Sequence, residues 1–264
     1  MQVNNIFDPR RFWLLLKEEF RLEYKRYLLG LGVVFGGLFI IWWANGLNSI
    51  VQERQLEEFH YIWFAIILIG GGSFFTSLAF TQLGTKPTRL FYLNLPASTL
   101  EKFSTKWLVT AIIYPLVIWG LYLVFSWFVN KVHIGYTDGK VFTVLPAFGS
   151  TTWIFMKIYL VVQSTFLLGA VVFHRYAIFK TAFSILILQA FLVLFVYICL
   201  RVIFPEMFVG WSASEPPDHV YNFTDTFKTF VEERMEGVLE RIFWIAVAPA
   251  MLIIGFFKLK EKEV

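Results

Sequence analysis

STLEKFSTKWLVTAIIYPLVIWGLYLVFSWFV, residues 98–129, reads as a charged helix start that becomes a membrane span. Its charged residues, Glu101, Lys102 and Lys106, all precede Trp107, and Leu108 to Val129 carries none. That apolar run suffices for a hydrocarbon core, which needs about 20 apolar residues in a helix. Ser98-Thr99-Leu100-Glu101 matches a capping box: the Ser98 hydroxyl accepts from the Glu101 N–H, and the Glu101 carboxylate accepts from the Ser98 N–H. Pro96 keeps a helix from passing through Asn94 and Leu95, while Gly84 and Pro87 close the preceding apolar run. A short helix from Ser98 at the membrane surface, rigidly joined to a span, is therefore expected. An ordinary capped entry into a membrane helix would leave the same residues.

Five more stretches have the same character, at Tyr27–Ala44, Phe59–Leu83, Thr152–Phe173, Thr181–Phe204 and Ile242–Phe257. The 264-residue chain is 58% hydrophobic and 20% aromatic with 16% charged residues, which excludes a soluble globular domain. The expected fold is all-α: a polytopic membrane protein of six transmembrane helices with an N-terminal interfacial amphipathic helix. One transmembrane domain, 1–264, would comprise that helix at 1–26, a bundle at 27–257 with an outer loop at 205–240, and a tail at 258–264. Cys199 is the single cysteine, so no intrachain disulfide forms. No cleavable signal pattern precedes the first apolar run.

Basic residues orient the spans. Fifteen fall on the side of the termini, from Arg10 and Arg11 through Lys86 and Arg89 to Arg175, Lys180 and Lys262, against seven on the other side. Both termini are expected in the cytoplasm. Trp42, Trp43, Trp63, Trp107, Trp127, Trp153 and Trp244 lie near span ends, where tryptophan anchors at the headgroup layer.

Ahead of the first span, Phe12, Trp13, Leu16, Phe20, Tyr24 and Tyr27 recur at helical spacing, with Lys17, Glu18, Arg21 and Lys25 opposite. Such a helix would lie in the interface, with Arg21 and Lys25 near lipid phosphates; a straight extension of the first span into water is the alternative. In the outer loop VHIGYTDGKVFTV, Asp138-Gly139 suits a tight hairpin turn. Farther on, Phe223, Phe227, Phe230, Val231, Val238 and Ile242 mark one face of an amphipathic helix, as a lid over a pathway or as a tether for the last span. Asn222-Phe223-Thr224 is a glycosylation tripeptide, relevant only in a secretory route.

TRLFYLNLPASTLEKFSTKWL, residues 88–108, resembles the loop between the second and third spans of ATP-binding-cassette permeases of the type-2, exporter-like class. Leu95, Pro96, Ala97, Ser98 and Lys106 match that family's pattern, and the span count and amphipathic start are similar to its architecture. The resemblance implies a coupling helix that docks on a separate cytoplasmic ATPase through Arg89, Leu95, Pro96, Ser98, Thr99, Leu100, Glu101, Lys102 and Lys106. It further implies ATP and Mg on that partner, a second permease copy or paralogue, and a bacterial cytoplasmic (inner) membrane. Export or extraction of an apolar or amphipathic cargo would follow. Asp225, Glu232, Glu233, Glu236 and Glu240 depart from the family, whose corresponding segment often dips into the membrane; these charges keep it at the surface.

No G-x-x-x-x-G-K-[ST] or H-E-x-x-H occurs, and His60, His133, His174 and His219 lack ligand spacing. The chain is expected to bind no cofactor or metal, to partner no nucleic acid, and to hydrolyse no ATP itself. Within the spans, Lys157 would snorkel outward and Gln163 and Ser164 would bond between helices. Gly70, Gly71 and Gly72 permit close packing or local unwinding, Gly32 and Gly36 could seat a helix, and Pro115 and Pro249 could kink theirs. A non-transporting membrane subunit that anchors or regulates a larger complex is the second reading, and an embedded enzyme the third.

Overall fold

A computed structural model of the chain describes residues 7–46, 60–136, 149–173, 175–203 and 236–262. The described residues form helices and turns, with no strand among them. Helix α1 is Pro9–Gly46, α2 is His60–Ser77 and α3 is Lys86–Leu93. Helix α4 begins as Thr99–Trp107 and continues through Leu108–Ile113 into Tyr114–Tyr136. Helices α5, α6 and α7 are Ser150–Val172, Ala177–Ile203 and Glu236–Lys260. Five helices are long and apolar enough to cross a bilayer. Counting the bent pair in α1 makes six. The first run of the expected external hairpin, residues 132–136, instead continues α4 as helix; its Asp138-Gly139 turn, most of the 205–240 loop and the Asn222 tripeptide lie outside the described residues.

The amphipathic segment and the first span are one helix, bent by 50° between Pro9–Lys25 and Tyr27–Trp43. The bend falls at the boundary where charge gives way to apolar sequence. Pro9 opens α1 with its fixed φ, and Asp8 Oδ1 accepts from the Arg10 N–H at 2.9 Å. The apolar stripe of this segment divides its contacts. Leu16 is buried, Phe12 and Phe20 are half-buried, and Trp13 stands exposed. The segment packs on the start of α4, so its inner face meets protein.

Helix α5 is the centre of the bundle, touching α2, α4, α6 and α7. One core cluster joins Leu38, Phe64, Leu68, Ile118, Tyr122 and Tyr159. A second gathers Phe80, Leu83, Tyr92, Phe103, Leu167 and Leu259, uniting the end of α2, α3, the start of α4 and the ends of α5 and α7. Trp42 belongs to the first cluster, whereas Trp43, Trp127 and Trp153 remain exposed as anchors would be.

Two spans contain a wide π-turn, Ile66–Gly71 in α2 and Leu108–Ile113 in α4. A π-turn breaks the regular ladder of backbone bonds, and hydrocarbon offers freed carbonyls nothing in exchange. Tyrosine hydroxyls serve both places. Tyr114 donates to the Ile67 carbonyl at 2.8 Å, and Tyr159 donates to the Thr110 carbonyl at 2.5 Å. Gly71 and Gly72 make room for those rings: a Cβ on Gly71 would stand 2.7 Å from Tyr114 Oη, and one on Gly72 2.3 Å from Tyr159 Cε2. Close packing and local rewinding thus occur together at this glycine run. Gly70, Gly32 and Gly36 face open space. Where α5 passes α6, a Cβ on Gly169 would meet Thr181 Oγ1 at 1.9 Å, so the crossing depends on glycine.

Candidate functional site

Ser98 has extended backbone, φ −68° and ψ 155°, and caps α4 as the sequence predicts. Its hydroxyl accepts from the Glu101 N–H at 3.2 Å, and its own N–H donates to Glu101 Oε2 at 2.8 Å. The other carboxylate oxygen looks away from the cap. Glu101 Oε1 accepts from the Asp8 N–H at 2.6 Å and from Arg11 Nη2 at 3.0 Å. Glu101 is 0% exposed. Its charge is matched by one guanidinium and two backbone N–H groups, the arrangement that makes a buried carboxylate tolerable.

Five residues farther along α4, Lys106 Nζ donates to Glu19 Oε1 and Oε2 at 2.6 and 2.7 Å. Lys106 is buried as well, and the Tyr27 hydroxyl donates to Glu19 Oε1 at 3.4 Å. Two ion pairs therefore fasten the amphipathic half of α1 along the first turns of α4. Lys102, also buried, holds its ammonium 5.7 Å from the centre of the Tyr92 ring. Three of the residues expected to meet a partner, Glu101, Lys102 and Lys106, are thus turned into their own chain. Arg21 and Lys25 are exposed, free of the latch.

The exposed surface lies one element upstream. The segment from Ser98 runs on into the span as expected, and a separate short helix that the sequence reading did not foresee, α3 at Lys86–Leu93, precedes it. Thr85 supplies extended backbone before it, and the Thr88 hydroxyl donates to the Gln82 carbonyl at 2.7 Å, tying the helix start to the preceding turn. Pro87 sits in the first turn, where its missing N–H costs nothing. Lys86, Arg89, Leu90, Asn94 and Pro96 are exposed; Leu95, Thr99 and Leu100 are half-covered. Behind this corner Tyr92 and Phe103 enter the core cluster with Phe80. The corner is a shelf: polar and mixed outside, aromatic inside, continuous with α4.

Beyond the latch, α4 enters its π-turn, where Thr110 joins a buried polar seam. Gln163 Nε2 donates to Thr110 Oγ1 at 2.8 Å, and the Tyr159 hydroxyl bonds the Thr110 carbonyl. Gln163 therefore bonds between helices, as expected. Ser164 instead donates to the Val161 carbonyl of its own helix at 2.8 Å. Lys157 is exposed on α5. The sequence reading missed Arg11, Glu19, Tyr114 and Tyr159. A hydroxyl inside an apolar run was the available signal for the two tyrosines. No group of His, Cys, Asp and Glu among the described residues is arranged to hold a metal ion. No family model, curated protein or solved structure matches this chain.

Proposed function

We propose that this chain is the permease subunit of an ATP-driven transporter, with both termini in the cytoplasm and the α3–α4 corner as the dock for a separate ATPase subunit. The observation that carries the reading is mechanical. The corner offers Arg89, Leu90, Asn94 and Pro96 outward, while Glu101 and Lys106 bind the same helix inward to α1. A force on the corner is delivered to α1 and α4 together. It then reaches the π-turn at Leu108–Ile113, where Thr110 meets Tyr159 and Gln163 between spans. A π-turn is a place where a helix can change winding without breaking. The excess of basic residues beside the corner supports the cytoplasmic orientation. The cargo would be apolar or amphipathic, and ATP and Mg would belong to the partner.

The test is to purify the full chain from its native membranes in mild detergent and identify what accompanies it. A stoichiometric partner with a nucleotide-binding motif is expected. Leu90→Asp should release that partner and abolish cargo-stimulated ATPase activity while leaving the thermal midpoint of the chain unchanged. Co-purification with other membrane subunits and no ATPase would replace this reading with the anchoring one. Charge reversal at Glu101 is the wrong probe, because it breaks the latch before it reaches any partner.

A further inference from the structure

Beside the latch lies a cleft of a different electrical character. Leu83, Arg89, Val172, Arg175 and Lys180 line an open cavity of about 350 Å³. That volume falls within the range of small-ligand clefts, about 300–1,000 Å³. Among the described residues, no carboxylate lies within ion-pair distance of Arg89, Arg175 or Lys180. Close by, Lys262 Nζ donates to the Val171 carbonyl at the end of α5. Burial pushes the Lys262 ammonium below its usual range, and the charges of Arg89 and Lys258 push it the same way, with Glu261 opposing them. Glu261 is itself engaged by Lys258 at 2.7 Å. The positive field is concentrated, and most of it is unanswered.

Position narrows the ligand. The cleft sits where α5 ends at Val172 and α6 begins at Ala177, beside the turn that follows α2. In a membrane-spanning bundle those helix ends mark headgroup depth. The positive end of a 27-residue helix, α6, lies at this turn. From that point α6 leads into the bilayer with Phe179, Phe183, Leu186 and Ile187 all exposed. Charge at one end and apolar surface running from it describe the two halves of a phospholipid.

We infer that this cleft binds the phosphodiester headgroup of an anionic phospholipid, with Arg89, Arg175 and Lys180 as its counter-charges and the acyl chains along the apolar face of α6. A basic recess between spans at the membrane surface is the kind of site that takes such headgroups. The inference needs only the membrane reading of the helices and does not depend on transport.

The test uses the full chain, with whatever subunits purify beside it, titrated with short-chain phosphatidylglycerol and, separately, phosphatidylcholine and inorganic phosphate. Native mass spectrometry reads bound lipid, and the thermal midpoint reads stabilisation. Phosphatidylglycerol should bind and stabilise, phosphatidylcholine should do neither, and the bound fraction should fall as salt is raised. Arg175→Gln with Lys180→Gln should weaken phosphatidylglycerol about 30-fold, since each cation near a membrane surface contributes roughly fivefold. Lys131→Gln, exposed elsewhere, should leave the affinity unchanged. Equal binding of both lipids, salt-independent binding, or full affinity in the double variant would overturn the inference. Inorganic phosphate that stabilises as well as phosphatidylglycerol would move the site to a free anion and also overturn it.

Discussion

At the entrance of α4, Glu101 and Lys106 are buried and each meets an opposite charge from α1. Arg89, Arg175 and Lys180, near the same end of the bundle, stand exposed with no carboxylate in reach among the described residues. Both groups come from sequence that looks alike, short and basic between apolar runs. The difference teaches what burial does to a charge. A desolvated ion must be matched by its own chain, so the first group fixes the position of α1 on α4. A solvated cation has no such requirement and remains available to a ligand.

Removing charges from the two groups should therefore have unlike consequences, and the largest belongs to Glu101. Glu101→Ala takes the buried carboxylate from Arg11 and from two backbone N–H groups, and should cost about 3–5 kcal/mol of stability. Thermal unfolding in detergent would measure it, and a midpoint equal to wild type would remove the latch from the description. Glu19→Gln is milder, because Glu19 is partly solvated and glutamine still accepts from Lys106. It should cost about 1.5–3 kcal/mol, the range for a hydrogen bond to a charged group. The loss should shrink when Lys106→Gln is added, since a double-mutant cycle exposes direct coupling. The smallest effect belongs to the cleft. Without lipid, Arg175→Gln should stay within about 0.5 kcal/mol of wild type, as exposed substitutions do. A large loss there would show that the cleft's cations are structural and erase the contrast.

The two halves of the Glu101 carboxylate also show where sequence stops being informative. Its bond to Ser98 is legible because both partners fall within four consecutive residues with a known geometry. Its bond to Arg11 spans 90 residues, and no local pattern encodes it. Helical spacing likewise placed Phe12, Leu16 and Phe20 on one face of α1 but could not say that the face meets α4. Helix α3 is harder to read: Pro87 after an apolar run reads as the end of a span, although proline in a first turn equally announces a new helix. The π-turns have no sequence signature of their own. Only Tyr114 and Tyr159, hydroxyl-bearing residues in apolar runs, hinted that some backbone carbonyl needed a donor.

The latch also bears on how the protein is made. Arg11 and Glu19 await partners that follow them by 90 and 87 residues. Between them the ribosome must deliver the rest of α1, all of α2 and α3. The first turns of α1 therefore spend the early part of synthesis without their internal partners. When α4 emerges, Glu101 and Lys106 exchange water for α1, and the amphipathic segment becomes part of the bundle. The order of the genetic message thus makes the arrival of α4 the event that completes the N-terminal third of the fold.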